Sequence, residues 1–377
     1  MGQNKEYLLE ELLKYEQPTA YIVSSTDYSD AYQTPVLTAG KSFILGYTNE
    51  SEGVFDKLPV IIFDDFTTAT QYVNFKFKVK SSAMKILHIN SELVTPKYIF
   101  YRMQTIQFDH STHKRYWIQQ YSKIKISVPP LPEQERIVAR IEELFSELDK
   151  AIETLKTTKQ QLAIYRQAVL KEAFIGCKMW DKYYFSDLMS EVRNGYGLKP
   201  DDSGEYRILK ISAVRPLSLD LSESRLNKTR FSDEDTIAEN DILFTRYNGS
   251  KEYVGICAVV PTLTEPYAYP DKLIKCRPKV QNTTHSKFLA YYMSQGDVRK
   301  YLRSKIKTTS GQNGIAGADI KKTTVYLPNI DMQSKIVAEI ETKLSVCDSI
   351  EKTVDTALQQ AEAMRQSILK QAFEGRL

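Results

Sequence analysis

Cysteine and histidine are scarce in this sequence, with four of each among 377 residues. Cys177, Cys257, Cys276 and Cys347 are scattered with no CxxC spacing, which excludes a disulfide framework and suits reduced thiols in a cytoplasmic protein. His88, His110, His113 and His285 have no cysteine at zinc-binding spacing, so no metal site is expected. No run of eighteen apolar residues and no signal-like segment occurs, so neither a membrane span nor export is expected. Charge of one sign is also lacking. The 51 Lys and Arg against 47 Asp and Glu leave a net +4, which permits an anionic partner without requiring one.

Glycine and proline are missing from one long stretch. "LPEQERIVARIEELFSELDKAIETL" begins at residue 131, and after Pro132 neither residue type recurs until Gly176. Pro132 suits a first helical turn, where its missing N–H costs nothing, and Glu133 and Glu135 complement the positive end of the helix dipole. The spacing therefore predicts a helix of about forty residues, a rod of roughly 60 Å.

That rod occurs twice. A shift of 199 residues lays positions 128–176 on 327–375 without a gap, with 20 identical residues among 49. "QERIVARIE" meets "QSKIVAEIE", and both copies end in Ala-Phe-x-Gly, where Gly176 and Gly375 suit a left-handed helix terminus. Ile137, Ile141, Leu144, Leu148, Ala151, Leu155, Thr158, Leu162, Tyr165 and Val169 alternate steps of four and three. Their counterparts are Ile336, Ile340, Lys343, Cys347, Ile350, Val354, Ala357, Ala361, Met364 and Ile368. Such a heptad seam packs on one partner helix, either the other copy or the same helix of a second chain. Outside the rods the repeat is weaker: "PKYIFYRMQ" (96–104) resembles "SKFLAYYMSQ" (286–295), placing Lys97 over Lys287, Tyr101 over Tyr291 and Met103 over Met293. The globular parts read as α+β, with strands expected at 59–63, 72–79, 206–211, 241–246 and 253–260 and amphipathic helices near 95–107 and 284–303. Two domains that differ over most of their length, joined to two rods of one design, suggest divergent recognition on a fixed spacer.

"ISVPPLPEQERIVARIEELFSELD" (126–149) resembles the central conserved region of the specificity subunits of type I restriction–modification enzymes, and "VYLPNIDMQSKIVAEI" with the terminal "AFEGRL" resembles their distal one. The second copy departs from Pro-Leu-Pro-Glu in having Asn329-Ile330-Asp331-Met332, where Asn329 or Asp331 can still cap the helix. Residues 59–87 and 239–260 are similar to segments of the variable target-recognition domains of that family. The resemblance implies two target-recognition domains (1–129 and 178–328), separated by two long antiparallel coiled-coil-like helices (130–177 and 329–377) in a pseudo-twofold internal repeat. It implies a DNA-binding subunit without catalysis of its own, whose domains each read half of an asymmetric bipartite site while the helices set the gap. Its implied partners are double-stranded DNA, two adenine methyltransferase subunits and, in the full complex, restriction subunits. S-adenosylmethionine, ATP and Mg are expected on those partners and no cofactor on this chain. A coiled-coil scaffold whose globular halves bind proteins is the alternative.

The missing catalytic motifs agree with this expectation. There is no GxxxxGK[ST] loop, no Asn-Pro-Pro-aromatic motif and no glycine-rich strand–loop–helix; "GQNGIAG" (311–317) lacks a following Lys-Ser/Thr. "DIK" (319–321) and "ETK" (341–343) mimic the end of a nuclease motif, but Glu341 and Lys343 fall on the repeated helix, where such a metal site would not form. For DNA contact the first domain offers Lys41, Thr67, Thr68, the alternating Lys76, Lys78 and Lys80, and His113, Lys114, Arg115 and Tyr116 of "HKRYW". Two-residue steps would place the three lysines on one strand face, suited to phosphates or to ordinary solvation. Two cations beside two aromatics in "HKRYW" suit groove or backbone contact better than a core. The second domain offers Arg246, Tyr247 and Asn248 after a strand, with Gln312 and Asn313 in "KTTSGQNG". Arg can pair with guanine, and Asn or Gln with adenine, in the major groove; for "KTTSGQNG" a polar turn capping the sheet is the competing reading. The seam residues most expected to be buried are Ile137, Ile141, Leu148, Leu155, Leu162, Ile336, Ile340, Ile350, Val354 and Ile368.

Overall fold

The computed structural model describes residues 4–38, 42–109, 115–197, 203–309 and 311–377. Two long helices, Leu131–Ala173 of 43 residues and Ile330–Phe373 of 44, start and stop as the repeat predicts. Asn329 caps the second, its Oδ1 accepting from Met332 N at 3.0 Å. At its far end Gly375 takes φ +72°, Arg376 N donates to Gln371 O at 2.9 Å and Gly375 N to Ala372 O at 3.4 Å. This is the paired six-to-one and five-to-two closure that a left-handed terminal glycine permits. Gly176 takes φ +76° at the corresponding place. No described helix is long and apolar enough to cross a membrane.

The chain forms two compact units, Met1–Leu155 with Asp355–Leu377, and Lys156–Val354. Each helix therefore contributes one part to each unit. In the first unit a four-stranded antiparallel sheet runs in the order Leu13–Glu16, Met84–Ile89, Val60–Asp64, Thr70–Val73. A second sheet places Thr34–Leu37 between antiparallel Ile44–Thr48 and parallel Lys78–Val79, and Lys5–Leu8 pairs with Lys125–Val128. The second unit repeats all three. Its four strands are Met189–Asn194, Leu273–Pro278, Ile242–Thr245 and Cys257–Val259. Tyr206–Leu209 lies between antiparallel Ser224–Asn227 and parallel Tyr267–Ala268, and Asp181–Tyr184 pairs with Thr324–Leu327. The strands correspond in chain order as well as in pairing, so the duplication that fades in sequence persists in topology.

The expected strand at 72–79 is two short strands, Thr70–Val73 and Lys78–Val79, which belong to different sheets. The expected helix at 284–303 is likewise two, Thr283–Ser294 and Gly296–Ser304, with Gln295 extended between them and its side chain accepting from Asp297 N. The second unit adds a sheet of Tyr247–Asn248, Gln312–Gly314 and Lys307–Thr309, and this addition carries the site described below.

Within each unit the two helices run antiparallel. In the first, Ile141 and Phe145 cluster with Leu369 and Ala372, while the Arg365 guanidinium lies 4.4 Å from the centre of the Phe145 ring and pairs with Asp149. In the second, Arg166 pairs with Asp348 at 2.5 Å and Glu351 at 2.8 Å. The 199-residue shift carries Arg166 onto Arg365 and Asp149 onto Asp348, so the same bond between copies is made once in each unit.

The seam is narrower than a full heptad. Ile141, Leu148, Leu162, Ile336, Ile340 and Val354 are buried, and Ile137, Leu155 and Ile368 are half-buried. Ile350, expected in the seam, is 40% exposed, and its counterpart Ala151 is exposed too. Tyr165 and Met364, another equivalent pair, are also exposed. Buried or half-buried residues recur at every seventh position, 141, 148, 155, 162, 169 and 340, 347, 354, 361, 368, whereas the alternate positions range from buried Ile336 and half-buried Ile137 and Thr158 to exposed Ala151, Tyr165, Ile350 and Met364.

The start of each long helix is held to its own unit by a glutamine that the repeat makes identical. Gln134 is fully buried; its Nε2 donates to Leu93 O at 3.0 Å and Pro129 O at 2.9 Å, and its Oε1 accepts from Thr95 N at 2.7 Å. Gln333 Nε2 donates to Pro328 O at 2.8 Å, so its Oε1 is the acceptor for His285 Nδ1 at 3.0 Å. About two turns further on, Lys97 pairs with Glu142 and Lys287 with Glu341 at 2.5 Å, the same ion pair in both units.

Candidate nucleic-acid interface

In the second unit the fold brings together two segments some sixty residues apart. Ile242–Thr245 is fully buried, and the chain leaves it through Arg246, Tyr247 and Asn248. Tyr247 then lies opposite Gly314, and Asn248 opposite Asn313, while Lys307–Thr309 closes the other edge. A Cβ at 314 would sit 2.4 Å from Tyr247 Cε1, so the ring lies across a residue without a side chain and a larger residue there would displace it. The Arg246 guanidinium stacks 4.7 Å from the Tyr247 ring centre and the Lys272 ammonium 5.9 Å from it, placing two cations on one aromatic.

Arg246 is held but not satisfied. Its backbone is pinned by Arg246 N to Lys272 O at 2.7 Å and Ile315 N to Arg246 O at 3.0 Å. Its side chain makes only a long bond, Nη1 to Asp271 O at 3.4 Å, and Nε is buried with no hydrogen-bond partner. An unmatched buried donor costs about 1–3 kcal/mol, and a ligand acceptor would relieve it. Gln312 is exposed at the far end of the small sheet, where it pairs with Thr309. Asn248 Oδ1 already accepts from Ser250 N at 3.0 Å, leaving its NH2 group for a ligand.

Asn313, expected to read an adenine edge, does not fit that role. It is 7% exposed, its Nδ2 donates to Gly249 O at 2.8 Å, and its Oδ1 accepts from Thr308 Oγ1 at 2.8 Å. Both ends of the amide are engaged in holding the small sheet.

In the first unit the picture changes more. Thr67 and Thr68 lie in the turn after Val60–Asp64, where Asp64 Oδ1 accepts from Phe66 N at 2.8 Å and Thr67 N at 3.1 Å. The lysine alternation is not a face. Lys78 is 3% exposed, with Nζ 2.9 Å from Glu50 Oε2 and 2.6 Å from Glu52 O, so its charge is neutralised inside the domain. Lys76 is exposed and pairs at 3.8 Å with the exposed Asp56, and Lys80 is exposed; neither lies in the strand that holds Lys78. Tyr116 is core rather than groove contact, 1% exposed with its ring 4.9 Å from Phe108, and Trp117 beside it is 5.1 Å from Phe63. Asp65 fixes this pair, accepting from Tyr116 N at its carbonyl and from Trp117 N at Oδ1. Arg115 is exposed next to them. Lys41, His113 and Lys114 lie outside the described residues.

Other ionisable clusters are internal. His88 Nε2 and Tyr21 Oη each lie 2.7 Å from an oxygen of Glu16, and the bond to Glu16 pushes the Tyr21 hydroxyl up to about 12. Burial holds His285 below the usual histidine range. Among the described residues no group of three or more His, Cys, Asp or Glu could hold a metal ion. The glutamine anchors and the Lys–Glu pairs are contacts that residue-type reasoning missed, although the identity of Gln134 with Gln333 and of Glu142 with Glu341 in the 199-residue register was their signal.

Two units with one strand order, differing at the exits of their central strands and each including parts of the same two helices, define a duplicated α+β fold. The chain matches the type I restriction modification DNA specificity domain over residues 1–163 and 186–360, and it belongs to that family. It is 32% identical over 376 residues to the EcoR124I/EcoR124II specificity subunit of Escherichia coli, covering 93% of this chain and 89% of that one. It is 36% identical over 279 residues to the EcoKI specificity subunit of Escherichia coli K12, a match covering 68% of this chain and 58% of that protein. A structure described under complex assembly and conformational transition of the type I R-M system shares the fold at a TM-score of 0.68 and 17% identity, covering 100% of this chain and 99% of that one.

Proposed function

We propose that this chain is the DNA sequence-recognition subunit of a cytoplasmic type I restriction–modification complex, each unit reading one half of an asymmetric bipartite site. The observation that carries the reading is the contrast between units. Their three shared sheets agree strand for strand, whereas the exits from the central strands differ: Asp65-Phe66-Thr67 in one, Arg246-Tyr247-Asn248 with the added sheet that holds Gln312 in the other. Different side chains at matching strand exits of a shared scaffold are what two different base sequences require. In this reading catalysis rests with methyltransferase and restriction subunits docked on the complex, with S-adenosylmethionine, ATP and Mg bound there, and the helices set the gap between half-sites.

The test separates half-site from gap. Replacing residues 1–125 by another domain of the same kind should change one half of the methylated site and leave the other. Inserting seven residues after Leu155 and seven after Val354, equivalent positions in the repeat, keeps both seams in phase and lengthens the rod by roughly 10 Å, about three base pairs. Inserting two at each place turns the seam by roughly 200° and should abolish assembly. Methylome sequencing reads all three variants. Altered bases with an unchanged gap after the seven-residue insertions would refute the assignment of the helices.

A further inference from the structure

The turn after the central strand of the first unit displays an aromatic ring that the core does not take up. Phe66 is 45% exposed at the apex of the link between Val60–Asp64 and Thr70–Val73. Isolated exposed apolar residues are common and by themselves mean little. This one is held firmly. Asp64 closes the turn from below, its Oδ1 accepting from the two amides at 66 and 67, while Thr68 N donates to Asp64 O at 2.9 Å and Asp64 N to Ala69 O at 2.9 Å. Thr68, a β-branched residue, sits at φ +56°, a conformation that costs of order 1–3 kcal/mol and persists only where the surroundings impose it. The backbone beneath the exposed ring is therefore fixed by the turn.

The second unit carries a ring at the matching place. Phe66 stands two residues past the end of Val60–Asp64, and Tyr247 stands two residues past the end of Ile242–Thr245, the matching central strand. Both exits therefore carry a ring. In the second unit Arg246 and Lys272 lie over it, and Arg246 brings the unmatched donor suited to a base edge. In the first unit the residue corresponding to Arg246 is Asp65, which turns inward to hold Tyr116 and Trp117. What remains at the exit is an apolar surface flanked by hydroxyls.

We propose that Phe66 is a DNA-reading residue of the first unit, contacting the apolar surface of a base in the half-site that unit recognises. This rests on the DNA-recognition reading above and adds to it a chemistry: one unit reads at this position by hydrogen bonding, the other by apolar contact. The surface is either the face of a partly unstacked base or the 5-methyl group of a thymine, and both are met by a rigid ring with no polar atom.

The test uses the full chain assembled with its methyltransferase subunits and a duplex carrying the site found by methylome sequencing of the wild type. Phe66→Ala should weaken specific binding by about 5- to 100-fold, the range of an aromatic–base contact, with the thermal transition unchanged because the side chain is exposed. Phe66→Trp should restore most of the loss. With 2-aminopurine placed along the first half-site, a fluorescence rise on binding that Phe66→Ala abolishes assigns the base face. Loss of wild-type affinity on replacing a thymine by uracil, with no further loss in Phe66→Ala, assigns the methyl group. Wild-type affinity and site choice in Phe66→Ala, or a loss of affinity with neither signature, would overturn the inference. A wild-type complex with no sequence-specific binding at all would overturn the DNA-recognition reading itself.

Discussion

Replacing Gln134 by leucine tests how the long helix is fastened to the first unit. The two side chains have similar volume, so the change removes hydrogen bonds without opening a large cavity. Three are lost, to Leu93 O, Pro129 O and Thr95 N, at a site with no exposure. At about 1 kcal/mol net for each bond, the variant should be less stable by about 3 kcal/mol. Gln333→Leu breaks only the bonds to Pro328 O and His285 Nδ1, so it should cost about 2 kcal/mol. Urea unfolding of the full chain gives the totals, and amide exchange gives the location: Thr95 N–H, whose acceptor is the Gln134 side chain, should lose protection in Gln134→Leu and keep it in Gln333→Leu. Both variants within 0.5 kcal/mol of wild type, or the larger loss in Gln333→Leu, would refute the reasoning.

Three further outcomes follow from the same contacts. Burial depresses the His285 pKa, so its contribution to stability is complete above the unfolded value of about 6.5 and is lost as pH falls through the lower folded value; the urea midpoint should drop over that interval, and His285→Asn, which keeps a donor for Gln333, should flatten the drop. Leu148→Asp places a carboxylate in the buried seam and should destabilise by several kcal/mol, whereas Ile350→Asp on the exposed flank should cost less than about 1 kcal/mol, both read by thermal unfolding. Arg246→Ala should weaken binding of one half-site by about 1–3 kcal/mol with little change in stability, and Arg246→Lys should not restore it, as measured by fluorescence anisotropy with the assembled methyltransferase complex.

The long helices were legible because their evidence is local. Periodicity and the terminal glycines act within a few residues, and the gap-free repeat states them twice; the Asn329 cap is equally local but belongs to the second copy alone. The seam was legible only in part, since a 3-4 pattern shows which residues are apolar and not how many of them a partner can cover; Ile350 and Tyr165 are apolar at the right spacing and exposed. The site depended on distant pairing. Nothing near Lys78 announces Glu50 and the Glu52 carbonyl, and nothing in "HKRYW" shows that Asp65, half a domain away, draws Tyr116 and Trp117 into the core. Arg246 and Gln312 could be named separately by residue type, but the pairing of Tyr247–Asn248 with Gln312–Gly314 is a product of topology.

The contacts of the first unit also dictate what a replacement domain must keep. Its variable surface is the strand exit and the turn around Phe66, yet the same domain supplies Leu93, Thr95, Lys97, Tyr98 and Tyr101 to the helices. These meet Gln134, Glu142, Phe145 and Phe373; the Tyr98 ring lies 5.4 Å from Phe373 and the Tyr101 ring 5.7 Å from Phe145. Phe373 comes from the distal end of the second helix, so a foreign first domain must satisfy a helix encoded more than two hundred residues later. The residues in and just before the short helix Pro96–Met103 that meet the long helices are thus those a replacement domain has to match. The corresponding stretch of the second unit explains why they persist: Lys287, Tyr291 and Met293 repeat Lys97, Tyr101 and Met103 where little else of the domains does. Residues facing the helices are held alike by a shared partner surface, while residues facing away are free to diverge toward different DNA.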